Sequence, residues 1–319
     1  KLMPLESVDL RVYFCLLILI VLRRSFNMNR LSKSGYLLFL PAAFFFSIFY
    51  YWPLLVNVVL SFFSWNMVSS KIKFVGISNY TDIVQTAEFY SVIVNTVLFV
   101  LFLLIFNFVL PYIYSYILAY VLKYGKNLYK VFFFMPSLFS LSVASILFLW
   151  IYNPLAGPID AILQIFGLDS PRWLKEPILV IFSISMIIAW KVFGYNFILM
   201  LAAMMSVSKE MIEAARLEGA SDWVILRKII IPQTSSSAIY VFVITVVFGL
   251  QYVMIPVNIL TQGGPNQGSA NLVYVIYQYA FVFYQVGKSA AYAVLTMLLF
   301  VIFAWWRNKV LDKKVYYEN

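Results

Sequence analysis

Residues 92–122 read VIVNTVLFVLFLLIFNFVLPYIYSYILAYVL, without one charged side chain. The hydrocarbon core of a bilayer is roughly 30 Å thick and takes about 20 apolar helical residues to cross. This run is longer than that. A buried helix of a soluble protein rarely extends so far without a charge at its edge, so the run is read as a membrane span. The pattern recurs at residues 35–63, 131–152, 178–207, 238–259 and 290–306, which makes six stretches in all. Pro41, Pro53, Pro111, Pro136 and Pro256 fall within or beside them. Membrane helices tolerate such residues when neighbours satisfy the freed backbone groups.

Composition agrees. The 319 residues are 63% hydrophobic, 19% aromatic and 11% charged, with mean hydropathy +0.90. Soluble domains run nearer 45–50% apolar and about 25% charged, and disorder is excluded because apolar residues far outnumber charges. The chain contains no histidine, which removes His-based proton relays, metal ligands and catalytic triads. The single Cys15 allows neither an intrachain disulfide nor a thiolate zinc site. No G-x-x-x-x-G-K-[ST] phosphate loop is present, so ATP binding by this chain is not expected. No nucleophile–base pair, paired buried carboxylates or metal spacing stands out. An enzyme working within the membrane is therefore not expected, and neither are catalytic residues, a metal or a cofactor of the chain's own.

Basic residues set the orientation. Arg23, Arg24, Arg30 and Lys33 precede the first stretch, and Lys123, Lys126 and Lys130 follow the second. Lys209, Arg216, Arg227 and Lys228 follow the fourth, and Arg307, Lys309, Lys313 and Lys314 the sixth. The opposite side carries only Lys71, Lys73, Arg172, Lys175 and Lys288. Both termini are therefore expected in the cytoplasm, as an even number of spans also requires. The net charge of +10 is thus topological, and nucleic acid is not needed to explain it. Residues 12–22 are too short to span. With Met28 as a plausible alternative start, residues 1–34 are read as a cytoplasmic or interfacial appendage, 35–310 as a six-span domain and 311–319 as a cytoplasmic tail.

Between the fourth and fifth stretches lies SVSKEMIEAARLEGASDWVILRKIIIP, residues 206–232. Residues 209–217 are strong helix formers, with Glu213 three residues before Arg216. Gly219 marks a helix end, and Ser221 or Asp222 is placed to cap a second helix. Met211, Ala214, Ala215, Leu217 and Ala220 offer a small apolar surface to a partner. A solvated connecting loop is the plain alternative.

EAARLEGA, with Trp223 and the later Ile231-Pro232, resembles the EAA motif in membrane subunits of binding-protein-dependent ABC importers. The matching positions are Glu213, Ala214, Ala215, Gly219 and Pro232. The resemblance implies an all-α integral membrane protein, a six-helix permease core with a cytoplasmic coupling-helix elbow that sits in a cleft of an ATPase. It further implies a second homologous permease, a dimer of ATPase subunits that bind ATP and Mg, and an extracytoplasmic solute-binding protein. A second match lies at LTQGGPNQGSANLVYVIYQYAFVFYQVGKSAAYAV, residues 260–294. It is similar to the segment of the carbohydrate-importing branch, near permeases for maltose and glycerol phosphate. Here it places Thr261, Gly263, Gly264, Pro265, Tyr277, Phe281, Gly287, Ala290 and Ala291 on the pattern. On physics alone, Gly-Gly-Pro is a turn and the aromatics a membrane-surface belt. Two departures are Ser208, where the family often has proline, and Lys288 after Gly287.

Lys191 lies mid-span in IAWKVFGYNFILM. A Lys there costs about 2.5–3.5 kcal/mol on insertion scales, so it should find a partner or a wet cavity. One reading is a snorkelling or carbonyl-bonded side chain. Alignment to the maltose permease through the coupling motif implies instead that Tyr195 and Lys191 contact substrate, a sugar or oligosaccharide that is acidic if the Lys pairs with it. Residues four apart share a helical face. Trp190, Asn196, Gln251, Tyr252 and Asn258 are further lining candidates, for which packing or interhelical hydrogen bonding competes. An ion-gradient-driven secondary transporter is the alternative function. It is disfavoured because no Asp or Glu falls inside the six stretches and no duplicated half is evident.

Overall fold

The computed structural model describes residues 33–69 and 71–310. The expected appendage up to residue 32 and the tail at 311–319 lie outside the described residues. The chain divides into two compact units, one ending at Val56 and one beginning at Asn57. The first holds α1 (Lys33–Phe46), broken by the π-turn Ser47–Tyr51. Phe44, Phe45, Phe49 and Tyr50 there are all exposed, which suits a surface solvated by lipid.

Among its described residues, the second unit's secondary structure is helical apart from one short hairpin, β1 (Phe63–Ser64) with β2 (Lys73–Phe74), paired antiparallel. The helices that position the site are α2 (Ala87–Leu104), α3 (Lys126–Phe134), α4 (Leu141–Ile151), α5 (Pro177–Met205), α6 (Lys209–Leu217), α7 (Ser235–Leu260), α8 (Leu272–Tyr277) and α9 (Val286–Val310). By length and composition, five described helical segments suffice to cross a membrane, or six if a bent pair counts as one. The second stretch runs as one segment from Ala87 to Val121. It passes through π-turns at Ile105–Val109 and Ile117–Val121.

The core is built around α5, which is apolar on every side and packs against α2, α3, α4 and α7. Val180, Ile184, Ile187 and Ile188 of α5 are buried with Val92, Phe99 and Leu103 of α2 and with Val253 and Val257 of α7. A helix hydrophobic all round is what a central bundle position requires. A second cluster, Met204, Val207, Ile212, Ile225 and Ile230, joins the end of α5 to the loop that follows it.

Three features differ from the sequence reading. The third stretch is not one straight helix: the segments Lys126–Leu138 and Leu141–Ile151 meet at 100°. Pro136 opens a short 3-10 turn, and the Ser140 hydroxyl accepts from the Val143 amide at 3.2 Å, starting α4 afresh. Second, the second span begins at Ala87, so Glu88 falls in its first turn, where a carboxylate complements the helix dipole. Its carboxylate accepts from the Tyr279 hydroxyl at 3.2 Å. Third, the aromatic stretch after Pro265 is not a loose belt. It forms α8, with Leu272, Tyr274 and Val275 buried in the main core.

Candidate functional site: a capped elbow, a polar interlock and an infolded loop

The loop 206–232 folds as two short helices. The Ser208 hydroxyl accepts from the Met211 amide at 3.1 Å and donates to the Glu210 carboxylate at 2.8 Å. Serine thus supplies an N-cap where the related pattern has proline. Glu210's carboxyl is held below its ordinary value of 4.5 by the hydrogen bond from its own backbone N–H and by that of Ser208. At the other end Gly219 adopts φ +81°. The Gly219 amide donates to the Arg216 carbonyl, and the Ala220 amide to the Ala215 carbonyl, both at 3.0 Å. That pair of bonds is a Schellman cap, which needs a left-handed residue at this position. Ser221 then caps Asp222–Ile225 by accepting from the Val224 amide at 3.4 Å.

This elbow has two faces. Ile212 and Ile225 are buried beneath it, with Ala215 and Ala220 packed against the same cluster. Glu213 and Ala214 are exposed, as are Leu217 at 90% and Trp223 at 66%. Met211 is exposed as well. Of the expected apolar surface, Ala215 and Ala220 thus turn inward, while Met211, Ala214 and Leu217 face out. The Arg216–Asp222 pair at 3.3 Å is exposed on both sides and contributes little.

The residues proposed for a substrate path do not form one cluster. Lys191 donates to the carbonyl oxygens of Phe139 at 2.6 Å and Ser137 at 3.0 Å, the orphan acceptors at the 100° bend. Trp190 packs beside it, stacked on Phe139 with centroids 5.8 Å apart and edge-on to Phe148 at 5.6 Å. Tyr195, one turn on, is 45% exposed. Gln251 is exposed on α7, Asn258 is half-buried, and Tyr252 packs on the core beside Phe248.

Asn196 is different, being 0% exposed. Its amide donates to the Asn107 carbonyl at 2.5 Å and to the Thr245 hydroxyl at 3.2 Å. Three spans meet there, in an interhelical hydrogen bond and not an open lining. Asn107 and Thr245 were missed by the sequence reading. The available signal was Asn107 standing four residues before Pro111, whose ring removes the N–H that would bond the Asn107 carbonyl.

Gly263, Gly264 and Pro265 lie in a loop folded into the bundle. Gln262, Gly263, Asn266 and Gln267 all have positive φ, and the Gly264–Pro265 bond is cis. Asn95 of α2 donates to the carbonyls of Gln267 at 2.8 Å and Ala270 at 3.1 Å. The Asn271 amide bonds the Leu250 carbonyl at 2.9 Å. Ser269, Ala270 and Asn271 are fully buried. The motif therefore anchors α7 and α8 to α2.

Residues 115–316 match the family described as binding-protein-dependent transport system inner membrane component. The chain belongs to that family. The match spans the bend, the elbow and the infolded loop, and it identifies a transport component. The ion-gradient alternative loses its support. A probable ABC transporter permease protein, YurN of Bacillus subtilis (strain 168), is 30% identical over 82% of this chain and 90% of its own length. The sn-glycerol-3-phosphate transport system permease protein UgpA of Agrobacterium fabrum (strain C58 / ATCC 33970) is 25% identical over 88% of this chain and 96% of its own. In fold, the chain is similar to a chain from a bacterial ABC transporter involved in import of the acidic polysaccharide alginate. The TM-score is 0.75 at 20% identity, covering 88% of this chain and 96% of that one.

Proposed function

We propose that this permease is the membrane-spanning subunit of an ATP-driven importer for a sugar or oligosaccharide. It lies in the cytoplasmic (inner) membrane with both termini in the cytoplasm, and residues 35–310 act as one permease domain. A second homologous permease completes the path, two ATPase subunits bind ATP and Mg, and a solute-binding protein delivers the sugar. The elbow carries this reading. Rigid caps hold Met211, Leu217 and Trp223 outward in a charged loop, and exposed apolar residues on such a scaffold suit a protein partner. Glu213, Ala214, Ala215 and Gly219 then form the ATPase-coupling element. ATP-driven closure moves the elbow, and differential contacts in the two states alternate access.

The sugar class is supported by the relatives' names and by the infolded Gly263–Gly264–Pro265 loop. Trp190, Lys191, Tyr195, Gln251 and Tyr252 are proposed along the path. A Lys has three donors, and two serve the bend, so one N–H remains for an acid or hydroxyl of the substrate. Reconstitution with and without the ATPases, followed by ATP-dependent sugar uptake, tests the whole. Transport by the lone chain under an imposed ion gradient would defeat it.

A further inference from the structure

At the N-terminal end of α9, the β1–β2 hairpin and the segment 284–288 border an open cleft of about 440 Å³. Its walls include Trp65, Asn66, Lys71, Tyr284, Gln285 and Lys288. Lys71 and Lys288 both line it, and no carboxylate is among the lining residues. Lys288 has a loose partner in Asp82, at 3.8 Å and partly exposed, and Lys71 has no ion pair among the described residues. One unpaired and one loosely paired cation, beside the Trp65 and Tyr284 rings and the Asn66 and Gln285 amides, suit an anion on a short carbon stem.

The cleft is built, not incidental. The Val286 amide donates to the Trp65 carbonyl at 3.0 Å. Asn79 donates to the carbonyls of Ser61 at 2.8 Å and Phe63 at 3.0 Å. The Trp65 ring N–H is held by the Ser69 carbonyl at 2.8 Å. Gly287 lies so close to the hairpin that a Cβ would sit 1.8 Å from the Phe63 carbonyl oxygen. Met67 and Tyr284 both hold left-handed backbone, at φ 60° and 54°, a strained state that concentrates at functional sites. The hairpin also thrusts apolar side chains outward: Val68 is 81% exposed, and Met67 and Ile72 are more than half exposed. An aromatic and basic centre with an apolar rim is the composition of a protein-docking hot spot.

We propose that this cleft receives an acidic side chain of the solute-binding protein, with Lys71 and Lys288 as its charge partners and the hairpin's apolar residues as the surrounding contact. This rests on the orientation proposed above, which puts the hairpin and residues 284–288 on the face opposite the elbow. The apolar rim favours a protein over a free acidic glycan, because a glycan would leave Val68 and Ile72 uncovered. A charge contact of this kind acts mainly on the rate of encounter.

The test uses the assembled importer in lipid nanodiscs and the solute-binding protein encoded beside its gene. Association is followed by interferometry at low and moderate salt. Lys71→Glu with Lys288→Glu should slow association about tenfold or more at low salt and flatten its salt dependence. Lys71→Met with Lys288→Met should give an intermediate loss. Changing the matching acid of the binding protein to Lys should restore the rate to the Glu variants. Assembly on size exclusion shows that each variant is folded. Unchanged association in assembled variants overturns the inference. So does unchanged association coupled with lost binding of a free uronate oligosaccharide, which would make the cleft a glycan subsite. If the wild-type complex itself does not engage the binding protein, the proposed function fails instead, so the two failures are distinguishable.

Discussion

The side-chain amide of Asn196, in the middle of α5, donates at 2.5 Å to the carbonyl oxygen of Asn107 on the neighbouring span. The bond repairs a specific defect. Pro111 cannot donate to the carbonyl four residues back, and the chain there forms a π-turn, Ile105–Val109. Thr245 of α7 approaches the same carbonyl at 3.4 Å. Asn196→Leu should therefore destabilise the permease by about 1–2 kcal/mol, the upper range for interhelical bonds in membranes. The cost should shrink in a Pro111→Ala background, where an alanine N–H is available to that carbonyl. A double-mutant cycle by unfolding in detergent measures this, and strict additivity would show that the two residues do not share the defect.

Lys191 does similar work at the bend. Its ammonium covers carbonyls of Ser137 and Phe139 where two helical segments part at 100°. Lys191→Met removes the donor and should lower stability by about 1–2 kcal/mol, offset in part by the lower cost of placing an uncharged side chain in the bilayer. Lys191→Arg keeps the donor and should lose less. If Lys191 also contacts substrate, Lys191→Met reduces uptake of acidic sugars more than of neutral ones. Equal uptake of both, with the stability loss intact, assigns it to the bend alone.

What could be read from the sequence was what depends on local chemistry. The apolar runs announced the spans because length and lack of charge suffice. The elbow was legible because its caps, Ser221 and Gly219, are near their partners in sequence, although Arg216 pairs with Asp222 and not with Glu213, which the spacing had set beside it. The bend was not, since it is completed by Lys191, more than fifty residues away in sequence. Nor was the burial of α8. Its run is too short to announce a span, and its anchor is Asn95 and Thr96 of α2, with Thr96 accepting from the Leu272 amide at 3.2 Å. For Asn196 the sequence left lining and interhelical hydrogen bonding both open, because a polar side chain in a span looks alike whether it faces a path or a carbonyl.

The cap of α6 makes a conformational prediction. A Cβ added at Gly219 would meet no other atom within 4 Å, so only the φ of +81° restricts this position. Gly219→Ala should cost about 1 kcal/mol locally, while Gly219→Asn, which tolerates left-handed backbone, should cost less. Under the coupling reading, ATP-dependent uptake should fall in the order glycine, asparagine, alanine, with insertion unchanged. Identical uptake in all three would remove the cap from the mechanism.

The start of α6 is pH-dependent by the same logic. Glu210's carboxyl is lowered in the folded chain by its own backbone N–H and by Ser208. A group with a depressed folded value stabilises above its unfolded value, and that contribution disappears as pH falls through the folded value. Hydrogen exchange at Met211 and Ile212 should therefore quicken as pH drops below about 4.5, once corrected for intrinsic rates. Ser208→Ala should raise the folded value toward 4.5 and so shrink the acid-dependent part of this quickening. The same pH dependence in both proteins would show that the Ser208 hydroxyl has no hold on the carboxylate.

Leu217 allows the partner surface to be tested apart from the fold. At 90% exposure it contributes almost nothing to the permease's own core, and exposed substitutions usually change stability by no more than about 0.5 kcal/mol. Burying a leucine against another protein is worth about 1.5–3 kcal/mol. Leu217→Asp should thus leave the permease's melting temperature nearly unchanged while weakening its assembly with the ATPase subunits about tenfold or more. Trp223→Ala, at 66% exposure, should act in the same direction. Ala215 and Ala220 are the controls, because both pack inward on the Ile212 and Ile225 cluster. Enlarging either to Leu should disturb the elbow itself, lowering stability along with assembly. A Leu217→Asp permease that assembles and transports as the wild type would place the ATPase contact elsewhere.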